Sequence, residues 1–380
     1  MIAFGRPMRR RFLLERGTDF LNHGSFGATP RVVLAAAERW RARMERNPDD
    51  FLRYAMPAAL RAAAGRLARF LHAQQPDVVF VENASSGVNA VLRSLEFRPG
   101  DEILATTHTY NAVRQTIREV CRRTGAKLVE ARIGLPVESV EGLISPIVKN
   151  MTRRTKLVVL DHISSPTGLI FPVKRLAAAA RAHGAKVLVD GAHAPGQLAL
   201  DIPALGVDWY TGNCHKWLFA PKGCGFLWAR RNAQNAIHPP VISHGYQKGF
   251  AAEFDWIGTR DFSAWLAVPD GLDFFDSLRP QRARAYCHDL VTRKAKEISS
   301  AWGTPLDGPA HLHGSLMAIR LPDRFQRRDP AQLMAEWYER HRVIAPVMPV
   351  DGALWARVSA QVYNAPQDYD RLRSAICSTP

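Results

Sequence analysis

The sequence has few cysteines and no long apolar run. Its five cysteines are widely spaced over 380 residues, odd in number and without a CxxC pair. This pattern predicts neither a disulfide framework nor a zinc site, so we expect no bound metal. Because no stretch of about 18 apolar residues occurs, no membrane-spanning helix is expected. The basic first dozen residues are not followed by an apolar segment, which argues against a signal peptide and makes the cytoplasm the expected compartment.

The charge balance is strongly basic. Lysine and arginine number 51 against 35 acidic residues, giving a formal net charge of +16. Such a balance can indicate nucleic acid, a membrane surface or an anionic ligand. Here the basic residues are dispersed, and many fall on predicted helices such as residues 35–46. We therefore interpret them as a solvated surface. A nucleic-acid-binding protein is the weaker alternative, and it predicts steeply salt-dependent binding.

Strands and helices alternate through the middle of the chain. Short β-branched runs predict strands at residues 78–81, 102–106, 127–129, 157–161, 186–190 and 223–228. Helices are predicted at residues 86–95, 111–123 and 173–183. This order predicts an α/β protein whose mostly parallel sheet has helices on both faces.

The pattern changes after residue 228. The predicted elements are now two long helices, a strand–helix–strand unit and a final helix, at residues 262–277, 282–302, 313–319, 331–341, 343–348 and 368–376. We expect an N-terminal arm (residues 1–30), a large domain (residues 31–260), and connecting helices with a small C-terminal α+β domain (residues 261–380).

Two polar clusters lie where ligands bind in such a sheet, beyond the carboxyl ends of strands. Asp190-Gly-Ala-His193 follows one predicted strand, and Asn213-Cys-His215-Lys216 comes further along the chain. Each cluster alone is a weak signal. Pyridoxal 5′-phosphate (PLP), however, needs a lysine amine for a Schiff base and a carboxylate against its pyridine nitrogen. The pair therefore predicts a PLP enzyme in which Lys216 forms the Schiff base and Asp190 lies behind the ring.

A third cluster, Asn83-Ala-Ser85-Ser86-Gly, separates a predicted strand from a helix. A helix N-terminus rich in hydroxyl groups suits a phosphate, because free N–H groups and the helix dipole face the anion. In isolation, a plain serine N-cap would be the better interpretation of the cluster. Beside the other two clusters, the phosphate site is the better interpretation.

Three phrases carry a family resemblance. They are Phe-Leu-Asn-His-Gly-Ser-Phe-Gly at residues 20–27, Gly-Asn-Cys-His-Lys-Trp at residues 212–217 and Trp-Ile-Gly-Thr-Arg-Asp at residues 256–261. In this order they resemble the fold-type I PLP enzymes of the class V aminotransferase superfamily, in the isopenicillin N epimerase-like branch. The resemblance implies the aspartate aminotransferase-like fold, PLP as cofactor and an amino-acid substrate.

The resemblance also implies roles around the cofactor. Its phosphate is expected to be held by Ser85, Ser86, Asn213 and His215. His193 corresponds to a group near the phenolic oxygen of the ring, and Ser165 to an Asn beside that oxygen in many relatives. Tyr110 or His108 is expected to stack on the ring, with Tyr110 preferred. Thr259 resembles a residue that reaches the phosphate of the neighbouring subunit, which implies a homodimer with shared sites.

Substrate recognition is the remaining role. Arg357 matches the arginine that binds the substrate carboxylate in the family, and a guanidinium fork suits that group. Asn22 and His23 are expected to line the mouth of the site, although His23 could equally be a structural turn residue. The residues at 343–356 include no cysteine, whereas the cysteine desulfurases of the superfamily carry a nucleophilic one there. Persulfide transfer from cysteine is therefore not expected.

The sequence leaves the reaction open. An epimerase or racemase acting at Cα is the first hypothesis. A carbon–sulfur β-lyase or an aminotransferase is the alternative, because these reactions differ in the placement of proton donors. A catalytically inactive PLP-fold binding protein is the non-enzymatic alternative, and intact Lys216 and Asp190 argue against it.

Overall fold

The computed structural model describes residues 3–378, with side chains up to residue 376. Within that range the strands are β1 (Asp19–Phe20), β2 (Val78–Val81), β3 (Glu102–Thr106), β4 (Lys127–Ala131), β5 (Thr155–Asp161), β6 (Lys186–Asp190), β7 (Trp209–Asn213), β8 (Gly225–Ala229), β9 (Leu316–Arg320), β10 (Val343–Ile344), β11 (Val347–Val350) and β12 (Ala353–Ser359). The α-helices are α1 (Arg6–Arg9), α2 (His23–Phe26), α3 (Arg31–Arg46), α4 (Pro48–Asp50), α5 (Met56–Phe70), α6 (Ala84–Ser94), α7 (Asn111–Thr124), α8 (Val140–Lys149), α9 (Val173–Ala182), α10 (Phe250–Asp255), α11 (Ser263–Leu266), α12 (Val268–Ser277), α13 (Pro280–Trp302), α14 (Pro330–His341) and α15 (Asp370–Ser378).

The main sheet has seven strands in the order β2-β8-β7-β6-β5-β3-β4. Strand β8 is antiparallel to both of its neighbours, and the other pairs are parallel. Val79 and Leu157 face one apolar core with α6, α7 and α10, whereas Val78 and Val158 face the other. The predicted α/β fold with helices on both faces is therefore confirmed.

Local signals explain several helix ends. Asn83, Ser139 and Asp329 are N-caps, and each side chain accepts a hydrogen bond from the main-chain N–H three residues later. Gly125 and Gly303 end α7 and α13 in the left-handed conformation, which glycine adopts without steric cost.

The C-terminal part forms a second, antiparallel sheet in the order β11-β12-β9. The N-terminal segment joins this part through the parallel pair of β1 and β10. Strand β12 carries Arg357, so the substrate-binding candidate enters the site from this smaller sheet. The division at residues 30 and 260 stays a prediction. In residues 3–378, no helix is long and apolar enough to cross a membrane.

Several predicted boundaries differ from the structure. The strand predicted at residues 343–348 is two strands in different sheets, separated by Ala345 and Pro346, because proline cannot donate to a ladder. The helix predicted at residues 262–277 divides into α11 and α12, with Pro269 in the first turn of α12. Strands β7 and β12 were not predicted.

Candidate active site

Polar residues meet at one edge of the main sheet. Strands β2, β3, β5, β6 and β7 run in the same direction, so their carboxyl ends share this edge. A cavity of about 370 Å³ opens there. Its lining includes Asn83, Ser85, Tyr110, Asp161, Ser165, Asp190, His193, Asn213, His215 and Lys216. The three clusters from distant parts of the sequence therefore form one site.

Lys216 lies buried beside His193. Its Nζ is 3.2 Å from His193 Nε2, and Trp217 Nε1 donates to His193 Nδ1 at 3.4 Å. An indole N–H only donates, so Nδ1 accepts and a neutral His193 carries its proton on Nε2. That proton can be donated only to an unprotonated amine. The geometry thus favours a neutral Lys216, the form that acts as a nucleophile.

The electrostatics agree with this geometry. Burial lowers the pKa of Lys216 to about 7, repulsion from Arg357 contributes to the lowering, and Asp190 opposes it. Burial raises the pKa of Asp190, whereas the Ala192 N–H and the charge of Lys216 act in the other direction. The N–H of Ala192 donates to Asp190 Oδ1 at 2.9 Å. A cationic ring nitrogen against Asp190 would favour the carboxylate further.

The N-terminus of α6 forms the phosphate end of the cavity. The Ala84 N–H donates to Asn213 Oδ1 at 2.8 Å, and the Ser86 N–H donates to Asn83 Oδ1 at 3.0 Å. Neither bond uses the N–H of Ser85, which also lines the cavity. A β-carbon at Gly87 would collide with Thr211 of β7, so glycine lets α6 pack this closely. An amine, a carboxylate and a helix N-terminus in one cavity fit PLP.

His215 lies at the same end. Its Nδ1 donates to the carbonyl oxygen of Cys224 at 2.8 Å. This bond fixes the neutral tautomer with its proton on Nδ1, so Nε2 can donate to a phosphate only when the ring is protonated. Burial and the charge of Lys216 lower the pKa of His215 to about 4. A bound phosphate dianion would oppose that lowering.

Arg357 is fully buried where the two sheets meet. Its Nη2 donates to Asn22 Oδ1 and Ser25 Oγ, both at 2.9 Å, and its Nη1 donates to the carbonyl oxygen of Ser165. Its buried Nε has no hydrogen-bond partner among the described residues. Burial lowers the pKa of Arg357 to about 10, and the phenol of Tyr110 acts in the opposite direction. The guanidinium therefore remains a cation at neutral pH.

Two histidines lie elsewhere than expected. His23 does not line the mouth of the site: its side chain is fully buried, with Nδ1 2.8 Å from Tyr363 Oη and Nε2 3.0 Å from the Lys216 carbonyl oxygen. His108 is also buried, and its two ring nitrogens contact Thr167 Oγ1 and the carbonyl oxygen of Ile133. Both rings serve internal hydrogen bonds. Of the two stacking candidates, only Tyr110 lines the cavity.

Four other candidates are not part of the cavity lining, namely Asn22, Ser86, Thr259 and Arg357. Asn22 and Arg357 hydrogen-bond each other behind it. Ser86 is part of the helix cap, and its side chain hydrogen-bonds Glu82. Thr259 lines a separate cleft, together with His244 and Trp256. This placement is what a residue serving a neighbouring subunit requires, and that role stays a prediction.

Sequence reasoning missed Asp161. It ends β5 and pairs in register with Asp190 at the end of β6. Burial and the neighbouring Asp190 raise the pKa of Asp161 well above its ordinary value. The signal was present in the sequence, since both residues are acids that end a predicted strand.

Comparison with known proteins identifies the family of the chain. The family model described as aminotransferase class-V matches residues 25–372. The chain belongs to the class V aminotransferase family. It is a PLP-dependent enzyme, as the family is.

Two similar relatives carry different activities in their names. The putative L-cysteine desulfhydrase 1 of Oryza sativa subsp. japonica is 34% identical, over 95% of this chain and 83% of that protein. The isopenicillin N epimerase of Amycolatopsis lactamdurans is also 34% identical, over 97% of this chain and 96% of that protein. Family membership therefore leaves the reaction to be decided.

Solved structures show the same fold. The apo cysteine desulfurase of Thermococcus onnurineus NA1 superposes with a TM-score of 0.80 at 20% identity, over 99% of this chain and 98% of that chain. The cystine C–S lyase C-DES, in complex with cysteine persulfide, superposes with a TM-score of 0.80 at 19% identity, over 96% and 98%.

Proposed function

We propose that this enzyme acts at Cα of an α-amino acid and inverts that carbon, as an epimerase or racemase. The observation that carries the proposal is the buried amine of Lys216, which His193 faces at 3.2 Å and whose pKa burial lowers to about 7, near the buried cation of Arg357. When bound, PLP supplies an electron-withdrawing ring that makes the Cα proton acidic. The chain then has to hold the substrate and move that proton.

Lys216 is the proposed base. Its neutral amine would hold the cofactor at rest, and with a substrate bound it would accept the Cα proton. His193 donates to the neutral amine, which holds its lone pair in a fixed orientation. Asp190 is proposed to keep the pyridine nitrogen protonated, and Ser165 to lie near the phenolic oxygen.

The phosphate is proposed to anchor the cofactor at the start of α6. Ser85 contributes its hydroxyl group at the positive end of the helix dipole, with Asn213 and His215 beside it. This anchor leaves the other end of the cavity for the substrate.

Arg357 is proposed to bind the α-carboxylate. Asn22 and Ser25 accept hydrogen bonds from Nη2, so they hold the guanidinium in place before the substrate arrives. Ser165 holds Nη1 through its carbonyl oxygen. A planar guanidinium fixed on both nitrogens aligns the carboxylate and hence Cα.

A cytoplasmic homodimer with shared sites is proposed as the working form. Thr259 lies outside the cavity of its own chain, as a residue serving a partner must. Tyr54, Val241 and Ile242, which are sequence neighbours of that cleft's lining, have exposed fractions of 72%, 53% and 54%. Large exposed apolar side chains of this kind favour an interface between proteins.

A carbon–sulfur β-lyase is the second candidate. The observation that favours it is the 34% identity to the rice desulfhydrase-named protein. The same base, Lys216, would suffice, because β-elimination needs one proton acceptor at Cα and a leaving group. Transamination would instead require a proton to be delivered to the cofactor. Among the described residues of the site, none favours this reaction over the other two.

One experiment separates these reactions. The purified protein is loaded with PLP and incubated in D₂O with L-amino acids, including L-cysteine, and the products are followed by NMR. Epimerisation gives Cα deuteration with appearance of the D-enantiomer. Pyruvate with sulfide indicates the lyase, a keto acid indicates transamination, and either without inversion contradicts the proposal. Lys216→Ala is the control and should show none of these reactions.

A further inference from the structure

The placement of Tyr110 is unexplained by cofactor stacking alone. Tyr110 lies in the loop after β3 and is the N-cap residue of α7. In the sheet order β7-β6-β5-β3, strands β6 and β5 lie between β3 and β7, which leads to Lys216. Tyr110 and Lys216 therefore approach the cavity beyond Asp190 from opposite sides.

The hydroxyl of Tyr110 is available and lies near the carboxylate subsite. The side chain is 47% exposed and lines the cavity, and none of the hydrogen bonds among the described residues uses its hydroxyl. Its phenol is close enough to Arg357 to oppose the lowering of the arginine's pKa by burial. The Tyr110 hydroxyl therefore lies on the side of the cavity where Arg357 would hold the substrate carboxylate.

Two other titratable groups that line the cavity, His193 and Glu82, are already engaged. His193 lies on the Lys216 side, 3.2 Å from its Nζ. Glu82 forms an ion pair with Arg260 at 2.5 Å. Inversion at Cα needs a second proton carrier on the face that Lys216 does not reach.

We propose that Tyr110 is this second proton carrier, acting on the face of Cα opposite to Lys216. The inference rests on the proposed epimerase function. In one direction the Lys216 amine takes the Cα proton, and the Tyr110 hydroxyl gives its own proton to the other face. Water then returns a proton to the phenolate, and the lysine ammonium loses one to water. In the reverse direction the phenolate accepts the proton and the ammonium donates.

The test uses the PLP-loaded Tyr110→Phe variant with L- and D-enantiomers in D₂O. We expect inversion in both directions, and deuterium exchange at Cα of the D-enantiomer, to fall by at least about 100-fold. Exchange at Cα of the L-enantiomer with retention should persist, because Lys216 alone performs it. Tyr338→Phe, on α14, is the matched control. A PLP titration of the apoenzyme, followed by visible absorbance, should give an affinity within about twofold of wild type.

Each other outcome is decisive. Inversion at the wild-type rate in Tyr110→Phe overturns the inference. So does an equal loss of exchange from both enantiomers with weakened PLP binding, since that result indicates stacking alone. If the wild-type protein itself shows elimination or transamination without inversion, the proposed epimerase function fails. That result comes from the wild type, so it is distinguishable from a failure of the Tyr110 inference.

Discussion

His23 Nε2 lies 3.0 Å from the main-chain carbonyl oxygen of Lys216, so a residue of the N-terminal segment holds the cofactor lysine in place. A carbonyl only accepts, hence Nε2 carries the proton and Nδ1 accepts from Tyr363 Oη at 2.8 Å. Burial lowers the pKa of His23 to about 3, which keeps the ring neutral. His23 thereby connects three distant segments of the chain through its backbone and ring.

Replacing His23 tests this connection. In His23→Ala, a cavity forms and the Tyr363 hydroxyl and the Lys216 carbonyl lose a partner. We expect the free energy of unfolding to fall by about 3 kcal/mol, measured by urea denaturation. His183→Ala removes an exposed histidine and is the control, with an expected change within about 0.5 kcal/mol. Equal stability of the two variants would show that the connection is unimportant.

Gly27 allows the same segment to approach the lysine loop. A β-carbon there would collide with the carbonyl oxygen of His215 and lie 2.9 Å from the Lys216 Cα. Gly17 has a similar positive φ (74° against 69°), but a β-carbon there meets nothing within 4 Å. Gly17→Ala therefore reports the backbone strain alone, about 1 kcal/mol.

We expect Gly27→Ala to destabilise the protein by at least about 2 kcal/mol more than Gly17→Ala, and to weaken PLP binding, because the lysine loop must move. Urea unfolding and a PLP titration measure the two effects. Indistinguishable behaviour of the two variants would mean that the loop accommodates the methyl group, contrary to the close packing described above.

The lowered pKa of Lys216 sets a pH dependence. The amine is the reactive form, so the rate of its reaction with added PLP should rise as the pH increases through about 7. Stopped-flow absorbance on the apoenzyme between pH 5.5 and 9 measures this rate. Nα-acetyl-lysine, whose ordinary amine pKa is about 10.4, is the reference in the same buffers. A rate for the protein that keeps rising up to pH 9, as that of the reference should, would refute burial as the cause.

Arg357 should control recognition of the carboxylate. Lysine lacks the planar fork that Asn22 and Ser25 hold, so Arg357→Lys should lower kcat/KM by about 100-fold, or ~3 kcal/mol. With a substrate analogue whose carboxylate is replaced by a carboxamide, the wild type and the variant should differ by less than about threefold. Arg46→Lys, at the exposed end of α3, is the control. An equal loss on both substrates would assign Arg357 a structural role instead.

Much of the site was readable from local patterns. The strand that ends at Asp190 has the predicted bounds, and the helix after Asn83 begins two residues before the predicted start, because strand ends and helix starts are set by short-range signals. Strands β7 and β12 were missed. Strand β7 is short and contains glycine and asparagine, which are rare in strands, and β12 contains the charged Arg357. Both segments therefore carry a weak strand signal, and they form strands because neighbouring strands pair with them.

The sequence by itself determined the family and the cofactor, and it predicted roles for Asp190, Lys216 and Arg357. PLP chemistry calls for a lysine amine and a carboxylate against the pyridine nitrogen, and a guanidinium suits a substrate carboxylate. Only the tertiary structure decided which other residues share the cavity. It buried His23 and His108 in internal hydrogen bonds, left Tyr110 facing the cavity, and set Asp161 beside Asp190. These outcomes depend on contacts between residues far apart in the chain, and burial changes both the pKa and the available hydrogen bonds of each side chain.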